Sequence, residues 1–117
     1  MKLEARFFQT SSGAEPTRTF LKKLAKKDRA QVGALIRKLQ VEHYLEAPHG
    51  KNLGGGLWEI RAITEGGKIR VFYCFVGKKY VVLLHAILKK TPKTPKKDMD
   101  LARKRKKIVE DDYGNKK

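Results

Sequence analysis

Between Leu57 and Ile87 three strand-length apolar segments follow one another with almost nothing between them. Leu57–Ile63 passes through Glu65-Gly66-Gly67-Lys68 into Ile69–Val76, which passes through Gly77-Lys78-Lys79 into Tyr80–Ile87. Joints this short exclude crossover helices, so the stretch predicts two consecutive antiparallel hairpins, a three-strand meander. Everything else in the chain has to extend that sheet or cover it.

The upstream half supplies a cover. Leu3–Phe8 predicts a first strand, followed by a Ser-Ser-Gly loop. Pro16 suits the first turn of a helix, with Phe20, Leu21 and Leu24 at helical spacing behind it. Asp28 is expected to cap a second helix, in which Val32, Leu35, Ile36 and Leu39 form one apolar stripe. Gly50–Gly56, with three consecutive glycines, reads as a loop. Downstream, Thr94 as N-cap and Pro95 at the first position predict a last helix through Leu101, Arg105 and Ile108. The order is that of a single α+β domain over residues 1–117. Two N-terminal helices pack on an antiparallel β-sheet with a three-strand meander, and a basic C-terminal helix and tail occupy about residues 94–117.

Hairpin register decides which side chains meet, because successive residues of a strand point to opposite faces. With Gly66-Gly67 as the first turn, Arg61 pairs with Phe72; with Gly77-Lys78 as the second, Arg70 pairs with His85. Arg61, Arg70 and His85 then share one face with Leu57, Phe72, Leu83 and Ile87. The other face carries Trp58, Ile60, Ala62, Val71, Tyr73, Phe75, Tyr80, Val82, Leu84 and Ala86, all uncharged. That apolar face is the expected bed for the two helices.

Charge then narrows the partners. The chain holds 28 Lys and Arg against 12 Asp and Glu, a formal net charge of +16. Solubility alone asks for only about 2–8 charges on a small domain. Residues 1–88 carry +9 and residues 89–117 carry +7, so the body is basic in its own right. An acidic partner is implied, with nucleic acid first, since neutralising phosphates releases counterions. No apolar run approaches the ~20 residues that span a bilayer, and the start lacks the apolar stretch of a secretory signal. The one cysteine, Cys74, has no partner for an internal disulfide. The expectation is a cytoplasmic protein with no membrane role. No Cys and His residues fall at zinc-site spacing, and no carboxylate cluster suits magnesium, so no cofactor is expected.

A face bearing arginines and a histidine suits phosphate chemistry. RNA is cleaved when its own 2′-hydroxyl attacks the neighbouring phosphate in line, and charge builds on the pentavalent transition state. Arginine offers two-pronged contacts to phosphate oxygens, lysine a point charge, histidine a proton. Lys89 and Lys90 close the last strand and Lys51 lies before the glycine triplet. Each residue also has a plainer reading. A strand arginine is often solvated or pairs a carboxylate, and Glu59 is near enough to Arg61 and Arg70 for that. His85 inside an apolar strand suits a hydrogen-bonded core histidine equally well. Trp58, on the apolar face, reads as core rather than as a base-stacking platform.

The ordered set Leu57-Trp58-Glu59-Ile60-Arg61, Ile69-Arg70-Val71-Phe72-Tyr73 and Val82-Leu83-Leu84-His85-Ala86-Ile87-Leu88-Lys89-Lys90-Thr91 resembles the RelE/ParE toxin superfamily. It is most similar to the phage-derived HigB-type branch, and Thr91-Pro92-Lys93-Thr94-Pro95 with Ala102 fits the same branch. The resemblance covers roughly residues 16–110. It implies a toxin of a toxin–antitoxin system, a metal-independent endoribonuclease cleaving mRNA, often on the ribosome. The implied partner is a cognate antitoxin, in this branch usually a helix-turn-helix protein. Carried onto this chain, the resemblance makes Arg61, Arg70, Lys89 and Lys90 the catalytic phosphate holders, with His85 as a secondary acid or base. Lys51, Lys93, Lys96, Arg103 and Arg105 are the expected further RNA contacts. Two departures stand out. Lys96 occupies the place of a RelE-branch tyrosine, and Glu59 stands where RelE-type sequences have lysine. The competing functions are ParE-like inhibition of DNA gyrase and a basic RNA- or ribosome-binding module without chemistry.

Overall fold

A five-stranded sheet divides the molecule into three layers. In this computed structural model, which describes residues 1–89 and 93–114, the elements run β1 (Glu4–Phe7), α1 (Pro16–Lys22), α2 (Lys26–Glu42), β2 (Gly50–Gly54), β3 (Leu57–Thr64), β4 (Gly67–Val76), β5 (Tyr80–Lys89) and α3 (Lys96–Gly114). The strand order is β1-β5-β4-β3-β2. β2 to β5 pair antiparallel with their chain neighbours, while β1 pairs parallel with β5. The sheet is therefore mixed rather than wholly antiparallel. The helical pair α1–α2 carries the chain from one sheet edge to the other, and β1 is left beside β5 running the same way.

The expected loop at Gly50–Gly56 is a strand and a turn. β2 occupies Gly50–Gly54 and pairs with β3, and an irregularity between Asn52 and Gly54 lets the Asn52 side chain accept the Gly54 N–H at 2.9 Å. Gly54, Gly55 and Gly56 all have positive φ, which other residues adopt only with strain, so here the glycines shape a hairpin bend.

Helix starts also differ in detail. Pro16 opens α1 as expected, but α2 begins two residues before Asp28, with Ala25 at the cap position and no side-chain cap. Asp28 falls in the first turn, where its charge favours the positive helix end, and it is buried against the β3–β4 turn. Its Oδ2 would lie 2.6 Å from a Cβ at position 66, so a side chain there would have to displace the Asp28 carboxylate. Thr94 is not the cap of α3. Met99 N–H bonds to the Pro95 carbonyl, so the helix is entered at Pro95, and the Thr94 hydroxyl is turned to Glu59.

One sheet face receives α1 and α2. Leu21, Val32 and Leu39 pack there with Ile60, Ala62, Ile69, Val71, Tyr73, Val81, Leu83 and Ala86. Val32 and Leu39 are wholly buried, and each contributes about 1.5–3 kcal/mol relative to exposure. Trp58 stacks on Tyr73 and meets Tyr44 and Phe75 edge-on, so it is core. The other face receives α3. Ala102 and Val109 pack on Leu57, Phe72, Cys74, Val82, Leu84 and Phe8. No helix among the described residues is long and apolar enough to cross a membrane.

The register corrects the face assignment of β5. The first turn is Glu65-Gly66, so Thr64 pairs with Gly67 and Arg61 with Arg70, a two-residue shift that keeps the expected parity. The second loop, Gly77-Lys78-Lys79, has three residues, and Val76 pairs with Tyr80. An odd loop reverses parity, so Tyr80, Val82 and Leu84 join the α3 face while Leu83 joins the α1–α2 face, the reverse of expectation. A β-bulge then leaves Leu84 without a partner, and the pairs become Phe72–His85 and Arg70–Ile87. Parity changes twice, and Arg61, Arg70 and His85 end up on one face.

Cys74 gives a direct check on the α3 layer. Burial pushes its thiol up to about 12, the Lys106 charge working weakly against that. The native protein should resist thiol-modifying reagents at pH 8 and react fully once denatured. Rapid modification of the folded protein would mean that α3 does not cover this face.

Candidate functional site

Near the entry to α3 its sheet face changes character. The apolar floor of Leu57, Phe72 and Cys74 gives way to Glu59, Arg61, Lys68, Arg70 and Lys89. Strand alternation explains the gathering, since Glu59 and Arg61 are two apart on β3, Lys68 and Arg70 two apart on β4, and cross-strand pairing aligns them. Lys89 at the end of β5 pairs with Lys68.

Burial sets this cluster apart from an ordinary basic surface. Glu59 is fully buried, Arg70 is 5% exposed and Lys89 is 7% exposed. Glu59 accepts a hydrogen bond from Arg61 Nε at 2.8 Å and one from the Thr94 hydroxyl at 2.9 Å. Arg70 Nε lies 3.6 Å from the same carboxylate, close enough to feel its charge but too far for a hydrogen bond. Arg70 Nε and Nη1 and Lys89 Nζ have no hydrogen-bond partner among the described residues. Desolvation lowers the Arg70 pKa, Glu59 raising it and Arg61 lowering it further. Lys89 is likewise lowered, first by burial, then by the Arg70 charge, with Arg61 and Lys68 adding to the effect and Glu59 opposing it. The arrangement is a buried cluster of cations whose donors outnumber their acceptors, which an anion admitted to it would satisfy.

His85 sits on the same face but is tied down. Its ring stacks on Phe72 with centroids 5.7 Å apart, and its Nε2 lies 2.8 Å from Asp98 Oδ1 in the first turn of α3. This contact fastens the helix to the sheet and leaves Nδ1 as the remaining ring nitrogen.

The other expected residues divide. Lys51 is exposed and pairs with Glu59 across β2–β3, which puts it on the cluster's face. Lys93 and Lys96 are exposed at the entry to α3, beside Thr94. Arg103 and Arg105 are not part of the cluster. Arg103 donates to the carbonyls of Leu53 and Gly54, and Arg105 donates to that of Leu84 while lying over the Phe8 ring. Both fasten α3 to the sheet. Lys90 lies outside the described residues. Lys68, Thr94 and Asp98 are site residues the sequence does not mark as such, Thr94 being expected there only as a helix cap. Lys68 had a signal, alternation with Arg70, whereas Thr94 and Asp98 reach the site only through the fold.

A small α+β domain with a buried cation cluster at a helix entry is the class that fold and site define. Residues 19–107 match the model of the phage-derived Gp49-like proteins (DUF891), and the chain belongs to that family, a RelE-like toxin family. No curated protein matches the chain.

Proposed function

We propose that the protein is the toxin of a toxin–antitoxin pair, of the HigB type, and that it cleaves messenger RNA on the ribosome without a metal. The observation that carries this reading is the pair of buried cations with unused donors, Arg70 and Lys89. Burying such donors without hydrogen bonds costs stability, and a scissile phosphate is an anion that would engage them. With Arg61 and Lys68 alongside, they supply the fixed positive charge that the pentavalent transition state requires. Attack by the 2′-hydroxyl needs only that the chain hold the phosphate in line and exchange protons. His85, with Nε2 engaged by Asp98, would exchange its proton through Nδ1. Lys51, Lys93 and Lys96 lie exposed on the cluster's face or at the entry to α3 and would track the RNA backbone, and Lys90 is proposed as a further phosphate contact. The acidic target agrees with a net charge of +16, and translation would place the protein in the cytoplasm. Family membership supports a cognate antitoxin as partner, a helix-turn-helix protein in the HigB branch.

Brief induction in growing cells followed by mapping of RNA 5′ ends tests the reading. New ends inside translated messages are the expected result. Intact messages accompanied by a DNA-damage response would overturn it in favour of gyrase inhibition.

A further inference from the structure

A single carboxylate lies beneath the cation cluster, and both its oxygens are engaged. Glu59 is fully buried; one oxygen receives Arg61 Nε and lies near Arg70 Nε, and the other receives the Thr94 hydroxyl. A group so enclosed does not reach an RNA 2′-hydroxyl, so proton abstraction is not its part. What its contacts do is differentiate the two arginines. Arg61 is held through Nε, which fixes the plane of its guanidinium and leaves the two terminal nitrogens. Arg70 is drawn close by charge, yet its Nε and Nη1 keep their donors. Thr94 ties the same carboxylate to the segment entering α3, which bears Lys93 and Lys96.

From this geometry we infer that Glu59 is a positioning residue, an internal counter-anion that orients Arg61 and Arg70 and couples the entry of α3 to them. The inference rests on the reading of the cluster as an RNA phosphate site. Four like charges gathered on adjacent strands repel one another. One buried negative charge holds them together without taking up all their donors, because its own acceptors are turned to Arg61 and Thr94. Removing the charge while keeping the shape should therefore disturb aim more than attraction.

Glu59→Gln and Thr94→Val test this with three readouts. These are cleavage at saturating RNA, affinity for a non-cleavable 2′-O-methyl RNA, and the NMR signal of the Arg61 Nε–H group. Glu59→Gln should bind the RNA at least as tightly as the unaltered protein, since one negative charge is gone. It should cleave about 10- to 100-fold more slowly at saturation, the scale of a misplaced reacting group. Its Arg61 Nε–H signal should lose the downfield shift and the protection from exchange that the buried carboxylate confers. Thr94→Val should slow cleavage roughly 3- to 10-fold, the scale of one hydrogen bond, and keep the Arg61 signal. Cleavage at the full rate by Glu59→Gln overturns the inference, as does weaker RNA binding with an unchanged saturated rate. If Glu59→Gln does not fold, an unchanged rate in Thr94→Val overturns it. An unaltered protein that binds the RNA but cleaves no message, with translating ribosomes present or absent, condemns the ribonuclease reading alone. Affinity and the Arg61 signal then decide the place of Glu59: weakened binding in Glu59→Gln, or an Arg61 signal left unmoved by it, counts against the inference.

Discussion

Arg70→Met is expected to fold with a melting temperature equal to or above that of the unaltered protein and to cleave RNA about 100-fold more slowly. The two halves of this result have one cause. Arg70 is buried with Nε and Nη1 unpartnered among the described residues, and desolvation lowers its pKa. Replacing buried charge by an apolar side chain of similar reach is often neutral or stabilising by about 1–4 kcal/mol. Glu59 is not orphaned by the change, because Arg61 and Thr94 still donate to it. Transition-state charge, in contrast, loses a fixed donor pair. Arg70→Lys should recover only part of the rate, since a point charge does not replace a two-pronged contact. Arg70→Ala should lose as much activity and add the penalty of a cavity. Thermal melts and cleavage rates on the same three variants settle the matter. A fully active Arg70→Met protein would remove Arg70 from the mechanism, and one destabilised by several kcal/mol would make it a structural ion-pair partner instead.

The second large effect is on ionic strength. Lys51, Arg61, Lys68, Arg70 and Lys89 share one face, and if each meets a phosphate the affinity for single-stranded RNA should fall about 100-fold between 50 and 200 mM salt. The logarithmic slope would be about −3.5 for five contacts on a single strand. Lys68→Ala should reduce that slope by about 0.7 while leaving sequence preference alone. Titration of a 2′-O-methyl RNA at four salt concentrations measures both. An affinity that is flat across this range would point to a protein as the acidic partner.

Much of this site could be read along single strands, and the unreadable part came from contacts between distant segments. Alternation alone put Arg61 in phase with Glu59 and Arg70 in phase with Phe72, and pairing across the β3–β4 turn needed only a two-residue joint. β5 was harder, because the joint Gly77-Lys78-Lys79 is legible but not whether two or three of its residues form the turn, and a bulge at Leu84 leaves no mark in composition. β2 was hidden by its glycines, which lower strand propensity yet serve an edge strand that must bend. The burial of Arg70 and Lys89 was not legible at all. It depends on tertiary packing over the sheet, and a sequence pattern gives strand positions as face, not depth. For the same reason His85 could be placed on the correct side without its partner Asp98, which comes from another element. The plain reading of Glu59 as a carboxylate near two arginines also holds in the structure, but as a buried group rather than a surface ion pair.

The bulge at Leu84 reaches beyond strand parity. Its carbonyl is taken by Arg105, so α3 is hooked to the sheet at a fixed mark. Asp98 stands seven residues before Arg105, about two helical turns back toward the cation cluster, and Thr94 lies just ahead of the helix. The helix thereby works as a ruler, with its zero at the bulge and its graduations over His85 and Glu59. A single residue inserted between Asp98 and Arg105 would turn everything upstream by about 100° and swing Asp98 off the sheet, whereas one added after Arg105 would leave the reading unchanged. The span from 98 to 105 is thus where length itself is under constraint, whatever residues fill it.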